Sequence, residues 1–302
     1  MIQKQISDLI KIDSNEDVRT EVHEILSLIS SDFNPNPIDS AFNAVIALFE
    51  GRLPGYRACN TEYHDLQHTI STAFAQARLI HGAILDGENF SERQVNVSLI
   101  AALCHDAGYI QEIHDTEGTG AKYTTTHVRR SMDFLESHGT ALNLDAEQIR
   151  AGRAMILCTD LASDIGGIEF PSPNYQLLGK MLGAADLLAQ MADRTYLERL
   201  LFLYHEFREA GVGDYQGEVD ILRKTVGFYD FITNRLDTTL DGTDRFVRLH
   251  FESRWNVPEN LYNNAIENQR NYLQKILAVQ NSDPRSHLKR EGIVKKVHKK
   301  YG

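Results

Sequence analysis

Basic residues are in short supply in this chain of 302 residues: 31 lysines and arginines face 42 aspartates and glutamates, a formal net charge of −11. A general nucleic-acid binder needs a basic face to displace counterions, so a nucleic-acid duplex is not an expected partner. An anionic small molecule stays open, because a bound metal reverses the local field. Long apolar runs are missing too. No stretch approaches the roughly 18–20 residues that cross a bilayer, so no membrane partner is expected. The opening MIQKQISDLIKIDSNEDVRTEV scatters acids where a signal peptide has its apolar centre. Three cysteines, Cys59, Cys104 and Cys158, are too few and too scattered for a disulfide framework or a structural zinc site. Free thiols in a reducing, cytoplasmic setting are the expectation. With only 7 prolines and 20 glycines the composition is neither fibrous nor disordered. The length suffices for a substantial core in one large domain or two small ones.

What is present is helical rhythm. In IDSAFNAVIALFEG, Phe42, Val45, Ile46 and Phe49 recur at intervals of three and four, and strand-like alternation is almost absent. The same rhythm runs through SERQVNVSLIAALC, THVRRSMDFLESHG, YQLLGKMLGAADLLAQM, RTYLERLLFLYHEFREAG, EVDILRKTVGFYDFITNRL and ENLYNNAIENQRNYLQKILAVQ. Ser91 with Gln94 reads as a capping box, and Gly139 and Gly211 as helix stops. The sequence therefore predicts an all-α, compact multi-helix bundle, with loops near 31–38, 51–60, 107–122, 159–174 and 211–217. Residues 1–40 read as a helical extension packed on the outside, 41–282 as the catalytic domain, and 283–302 as a basic tail. That tail reads either as a solvated, partly disordered end or as a segment docking on an acidic surface, the chain's own included. The oligomeric state is left open, a homo-oligomer included.

Three stretches carry chemistry. TEYHDLQHT places His64 and His68 four residues apart, on one face if helical. SLIAALCHDAGY ends an apolar helix in His105-Asp106. KMLGAADLLAQM holds Asp186 inside an apolar run, where a carboxylate is costly unless paired or bound to metal. Imidazole nitrogens and carboxylate oxygens together suit zinc, iron, manganese or a hard divalent ion. His64 beside Asp65 could stay protonated and act as a general acid; a capping or surface histidine is the alternative reading.

The order His, His-Asp, buried Asp on separate helices resembles the HD superfamily of metal-dependent phosphohydrolases. Within it, YRACNTEYHDLQHT, MILCTDLASD, GAADLLAQ and KTVGFYDFI are similar to successive segments of class I 3′,5′-cyclic nucleotide phosphodiesterases, over roughly residues 56–236. The resemblance implies two divalent ions, the first zinc or another transition metal held by His68, His105, Asp106 and Asp186, the second magnesium or manganese bridged by Asp106. It implies His64 as general acid and Phe228 as a platform for the base. The implied substrate is a small-molecule phosphoester of nucleotide type. Three departures bear on this. Thr225 stands where the family has the glutamine that grips the base. The family's HDxDH continues here as His105-Asp106-Ala107-Gly108-Tyr109. Thr124 stands where a glutamate is usual, leaving His127 as the candidate ligand of the second ion or a structural histidine. A phosphomonoesterase or nucleotidase, and more remotely a di-iron oxygenase, are the alternatives. Glu112, His114, Asp115 and Glu117 read as a solvated loop, Asp160 as structural and Trp255 as a packing anchor. His81, His138, His205, His250, His287 and His298 show no ligand context.

Overall fold

A computed structural model describes residues 5–302; the first four residues of the expected N-terminal extension lie outside the described residues. The apolar periodicity becomes twelve α-helices: α1 (Asn15–Ile29), α2 (Asn36–Phe49), α3 (Leu66–Leu85), α4 (Glu92–Cys104), α5 (His127–His138), α6 (Ala146–Leu157), α7 (Pro173–Met191), α8 (Tyr196–Ala210), α9 (Glu218–Asn234), α10 (Phe246–Trp255), α11 (Leu261–Leu277) and α12 (Ile293–Tyr301). The fold is all-α. Among the described residues the only β-type pairings are two isolated bridges, Glu50 with Ala58 and Tyr56 with Glu112. No helix among them is long and apolar enough to cross a membrane.

Helix α3 is the axis. It is buried on almost every side and packs against α1, α4, α7 and α10. Small residues make that possible: a side chain at Gly82 would drive its Cβ to 1.8 Å from the carbonyl oxygen of Phe246, so α10 could not cross there. Helix α7 is built alike, with Gly179, Gly183, Ala184 and Ala185 buried against its neighbours. Helix α1 is more than an outer layer, because Val18, Val22, Ile25 and Leu26 join the common core.

Gly139 ends α5 as expected, though without a left-handed turn: its φ is −57°, and a Cβ there would meet Ile149 at 2.6 Å. Gly211 does adopt the left-handed conformation, at φ 67°. The tail is not a solvated, disordered end: Leu288, Ile293 and Val297 are buried, α12 packs on α8, and Lys300 pairs with Glu62 at 2.6 Å. It docks on the chain's own acidic surface. The 107–122 loop is solvated as expected over 112–117, with His114 and Glu117 exposed, and it is ordered by Lys122 and Tyr123 holding Asp115 and by Arg130 holding Glu112. The Ser91–Gln94 capping box forms as expected, and the three cysteines are free.

Candidate metal centre

Three helix positions bring the chemistry to one point. His68 lies in the first turn of α3, its amide held by the Asp65 side chain at 2.9 Å, the N-cap contact that starts the helix. His105 caps the C-terminus of α4, and Asp106 follows as the chain turns away. Asp186 sits in the middle of α7. His68 Nε2 lies 3.0 Å from Asp186 Oδ1 and 3.4 Å from Asp106 Oδ2, while His105 Nε2 lies 3.6 and 3.4 Å from the same two oxygens. Ligand atoms of His68, His105 and Asp106 all fall within 4.8 Å of one another.

Orientation agrees with that convergence. His105 Nδ1 donates to the Ala102 carbonyl at 2.7 Å and His127 Nδ1 to the Thr124 carbonyl at 2.7 Å. Each therefore turns Nε2 inward, the tautomer that binds metal. Burial opposes charge on His105, yet the Asp106 and Asp186 carboxylates lift it to about 9. Burial dominates at His127 and holds it below its ordinary value, so it offers a neutral lone pair. Both aspartates stay well inside the carboxylate state despite burial, because the surrounding imidazoles outweigh it.

The carboxylates are also short of partners. Asp106 Oδ2 and Asp186 Oδ1 are buried and accept no hydrogen bond. Buried polar atoms are normally satisfied, and here a cation is the group that fits among them. Asp106 has a second outlook: its Oδ1 faces His127 Nε2 at 3.8 Å. One carboxylate thus addresses two positions, with His68 and His105 on one side and His127 on the other.

His64 departs from the expected geometry. It precedes α3, so it does not share a helical face with His68, although the rings lie 6.2 Å apart. Nor does Asp65 serve it, being engaged as the α3 cap and in an ion pair with Arg199 at 3.0 Å. Its partner is Glu206 on α8, which accepts from His64 Nδ1 at 2.7 Å and from the amides of Glu62 and Tyr63 at 2.8 and 2.7 Å. Burial works against the imidazolium, but Glu206, with Asp106 and Asp186 behind it, holds His64 above its ordinary pKa. Glu206 was not singled out in the sequence; its only signal was an acid within the amphipathic run YLERLLFLYHEFREAG. Tyr109 was also missed as a site residue. Its ring stacks on both His64, at 4.3 Å, and His127, at 4.4 Å, the two imidazoles lying 6.0 Å apart, and its hydroxyl lies 3.4 Å from His64 Nε2.

Gly108 makes this layer possible, since a Cβ there would come within 2.0 Å of the His127 carbonyl oxygen. Ser131 and Arg130 of α5 then clamp the turn, Ser131 Oγ accepting from the Gly108 amide at 2.9 Å and Arg130 Nε donating to the Gly108 carbonyl at 2.7 Å.

The cluster borders a cavity of about 610 Å³ lined by His64, Tyr109, His127 and Asp186 together with Leu203, Phe228 and Phe231. Thr225 reaches it, but its hydroxyl donates to the Ile221 carbonyl at 2.8 Å. Thr124 and Asp160 border it as well, the Asp160 carboxylate accepting from the Ala162 amide and the Ser163 hydroxyl.

A profile of the Npun_R2479-like family matches residues 40–271, about three quarters of the chain. The chain belongs to that family. The match takes in every residue of the cluster and the whole cavity wall, and leaves α12 outside it. No curated protein matches the chain.

Proposed function

We propose that this member of the Npun_R2479-like family is a metal-dependent phosphohydrolase of the HD kind that hydrolyses a phosphodiester of nucleotide size, a 3′,5′-cyclic nucleotide being the best single substrate. One observation carries the reading: two buried carboxylate oxygens without hydrogen-bond donors, faced by imidazole Nε2 atoms. His68, His105, Asp106 and Asp186 would hold a first ion, zinc or another transition metal; Asp106 and His127 would hold a second, magnesium or manganese. When bound, such ions supply a nucleophile from water at neutral pH and offset charge on the phosphoryl oxygens.

The chain's own residues do the rest. His64, charged through Glu206, directs Nε2 into the cavity and gives its proton to the departing alkoxide. Tyr109 keeps that ring parallel to its own at an interplanar angle of 12°. Phe228 and Phe231 offer the cavity an aromatic wall on which a base can lie. Because the Thr225 hydroxyl is spent on its own helix, discrimination among bases is weak. That same bond favours a second reading, a phosphomonoester or nucleotide substrate whose base is not gripped. A di-iron oxygenase needs more imidazole at the second position than His127 alone. The three free cysteines support a cytoplasmic setting.

The deciding experiment is metal analysis of protein reconstituted with manganese, magnesium and zinc, followed by assays on cyclic nucleotides, nucleoside monophosphates and an aryl phosphodiester. Uptake of about two ions per chain with phosphodiester turnover supports the proposal. A chain that takes up no divalent ion sinks it, and tightly held iron with visible absorbance transfers the site to oxygen chemistry.

A further inference from the structure

Away from the His–Asp cluster, Arg78 on α3 is a buried cation without a counter-charge. It is 1% exposed, its guanidinium lies 3.7 Å from the centroid of the Phe74 ring, and Nη1 donates to the Tyr262 hydroxyl at 2.7 Å. Nε and Nη2 have no hydrogen-bond partner among the described residues. Arg235, also buried, differs: it spends its donors on the carbonyls of Cys158, Asp160 and Leu161. Residues 1–4, MIQK, contain no carboxylate that could neutralise Arg78. Aromatic faces soften an isolated guanidinium but do not replace an anion.

Arg78 borders a cavity of about 540 Å³, within the size range of small-ligand pockets. One side of it is apolar, with Ile6, Ile12, Val18 and Leu261. Tyr262 also lines it, and because its oxygen accepts from Arg78, its own proton remains available to a ligand. Arg194 and Arg290 stand at the edge. Among the described residues Asp193 is the one carboxylate in the wall, and its Oδ1 accepts from the Thr195 amide and hydroxyl at 2.6 and 2.7 Å. The cavity shares no lining residue with the 610 Å³ cavity at the candidate metal centre, although Gln67 and Ser71 bring its near end within a turn of His68.

We propose that this cavity binds a small organic anion, a carboxylate or phosphate head with an apolar body. The head accepts a hydrogen bond from the Tyr262 hydroxyl under the field of Arg78, and the body lies along Ile12, Val18 and Leu261. The test is calorimetric titration of the full chain with benzoate, phenyl phosphate and uncharged benzyl alcohol. An anion binds once per chain and the alcohol at least roughly tenfold more weakly; Tyr262→Phe, which keeps the ring, weakens the anion by about tenfold, the worth of one hydrogen bond to a charged group. Ala265→Phe fills the cavity from α11 and abolishes that binding while manganese uptake is unchanged, which separates this site from the metal centre. The comparison of the two anions tells which head group the site prefers. The proposal is overturned if neither anion binds at millimolar concentration, if the alcohol binds as tightly, or if Ala265→Phe binds as wild type does.

Discussion

Under the proposed function His64 and Asp106 would have separable duties. Asp106→Ala would remove the carboxylate proposed to face both cation positions, so metal content and turnover should fall together. His64→Ala keeps the ions and loses about 10²–10⁴ in rate, most of all on esters with poor leaving groups; metal analysis beside single-turnover rates distinguishes the two. Near-normal rates for His64→Ala would remove the general-acid role. Glu206 gives this assignment a pH signature. Its contact holds His64 above its ordinary pKa, and a general acid works only while protonated, so activity declines as pH rises through that pKa. Glu206→Gln withdraws the charge, and the alkaline limb of kcat/KM moves to lower pH. An unmoved limb would detach Glu206 from the chemistry. The His-Asp pair and Asp186 were legible because each stands out against its immediate neighbours: a polar pair closing an apolar helix, an acid within an apolar run. Glu206 was not, because what identifies it is a contact with His64 across 142 positions of chain, and locally it is one acid on an amphipathic helix.

Helices set these residues, and the joint closest to the site is where α5 meets the turn after α4. Gly108→Ala must displace the start of α5, since no rotamer relieves a Cβ at 2.0 Å from a backbone oxygen. We expect a loss of about 1–3 kcal/mol in thermal unfolding, typical of overpacking, and a fall in metal stoichiometry from two to one as His127 withdraws. Unchanged stoichiometry would return His127 to a structural role. At the other end, α12 shows why the tail misled. Its lysines at 295, 296, 299 and 300 dominate the composition, yet Ile293 and Val297, four apart, form a buried stripe against α8. That stripe lies behind the site: Tyr301 stacks on His205 at 3.8 Å, next to Glu206, and Lys300 holds Glu62, whose amide Glu206 also binds. The double substitution Ile293→Ala/Val297→Ala should release α12, at roughly 2–5 kcal/mol for the isoleucine alone. Limited trypsin digestion at the four lysines, ahead of the rest of the chain, reads that release.

The whole bundle carries a pH dependence of its own. His81 and His250 meet inside the core through Nδ1 atoms 3.0 Å apart, a contact in which at least one ring must be neutral. Burial, reinforced by Arg254, pushes His81 down to about 4 from an ordinary 6.5, and burial with Arg78 pushes His250 well down too. Both are depressed in the folded chain. Their contribution to stability is therefore complete above pH 6.5 and is lost as pH falls toward 4. Denaturant midpoints should drop across that window, and a His81→Leu/His250→Leu variant should flatten the drop. At this scale the all-α class was legible, since seven amphipathic segments leave no room for a sheet. The crossings were not: they depend on where Gly82 and Gly108 admit a foreign backbone, which no periodicity records. The shared carboxylate of Asp106 has one more consequence. Two cations held as proposed, on opposite oxygens of a single group, would not load independently: the first arrival would spend much of the charge that attracts the second. Occupancy should climb in two separate steps as ion concentration is raised, and in dilute solution the prevailing species should be the half-filled one.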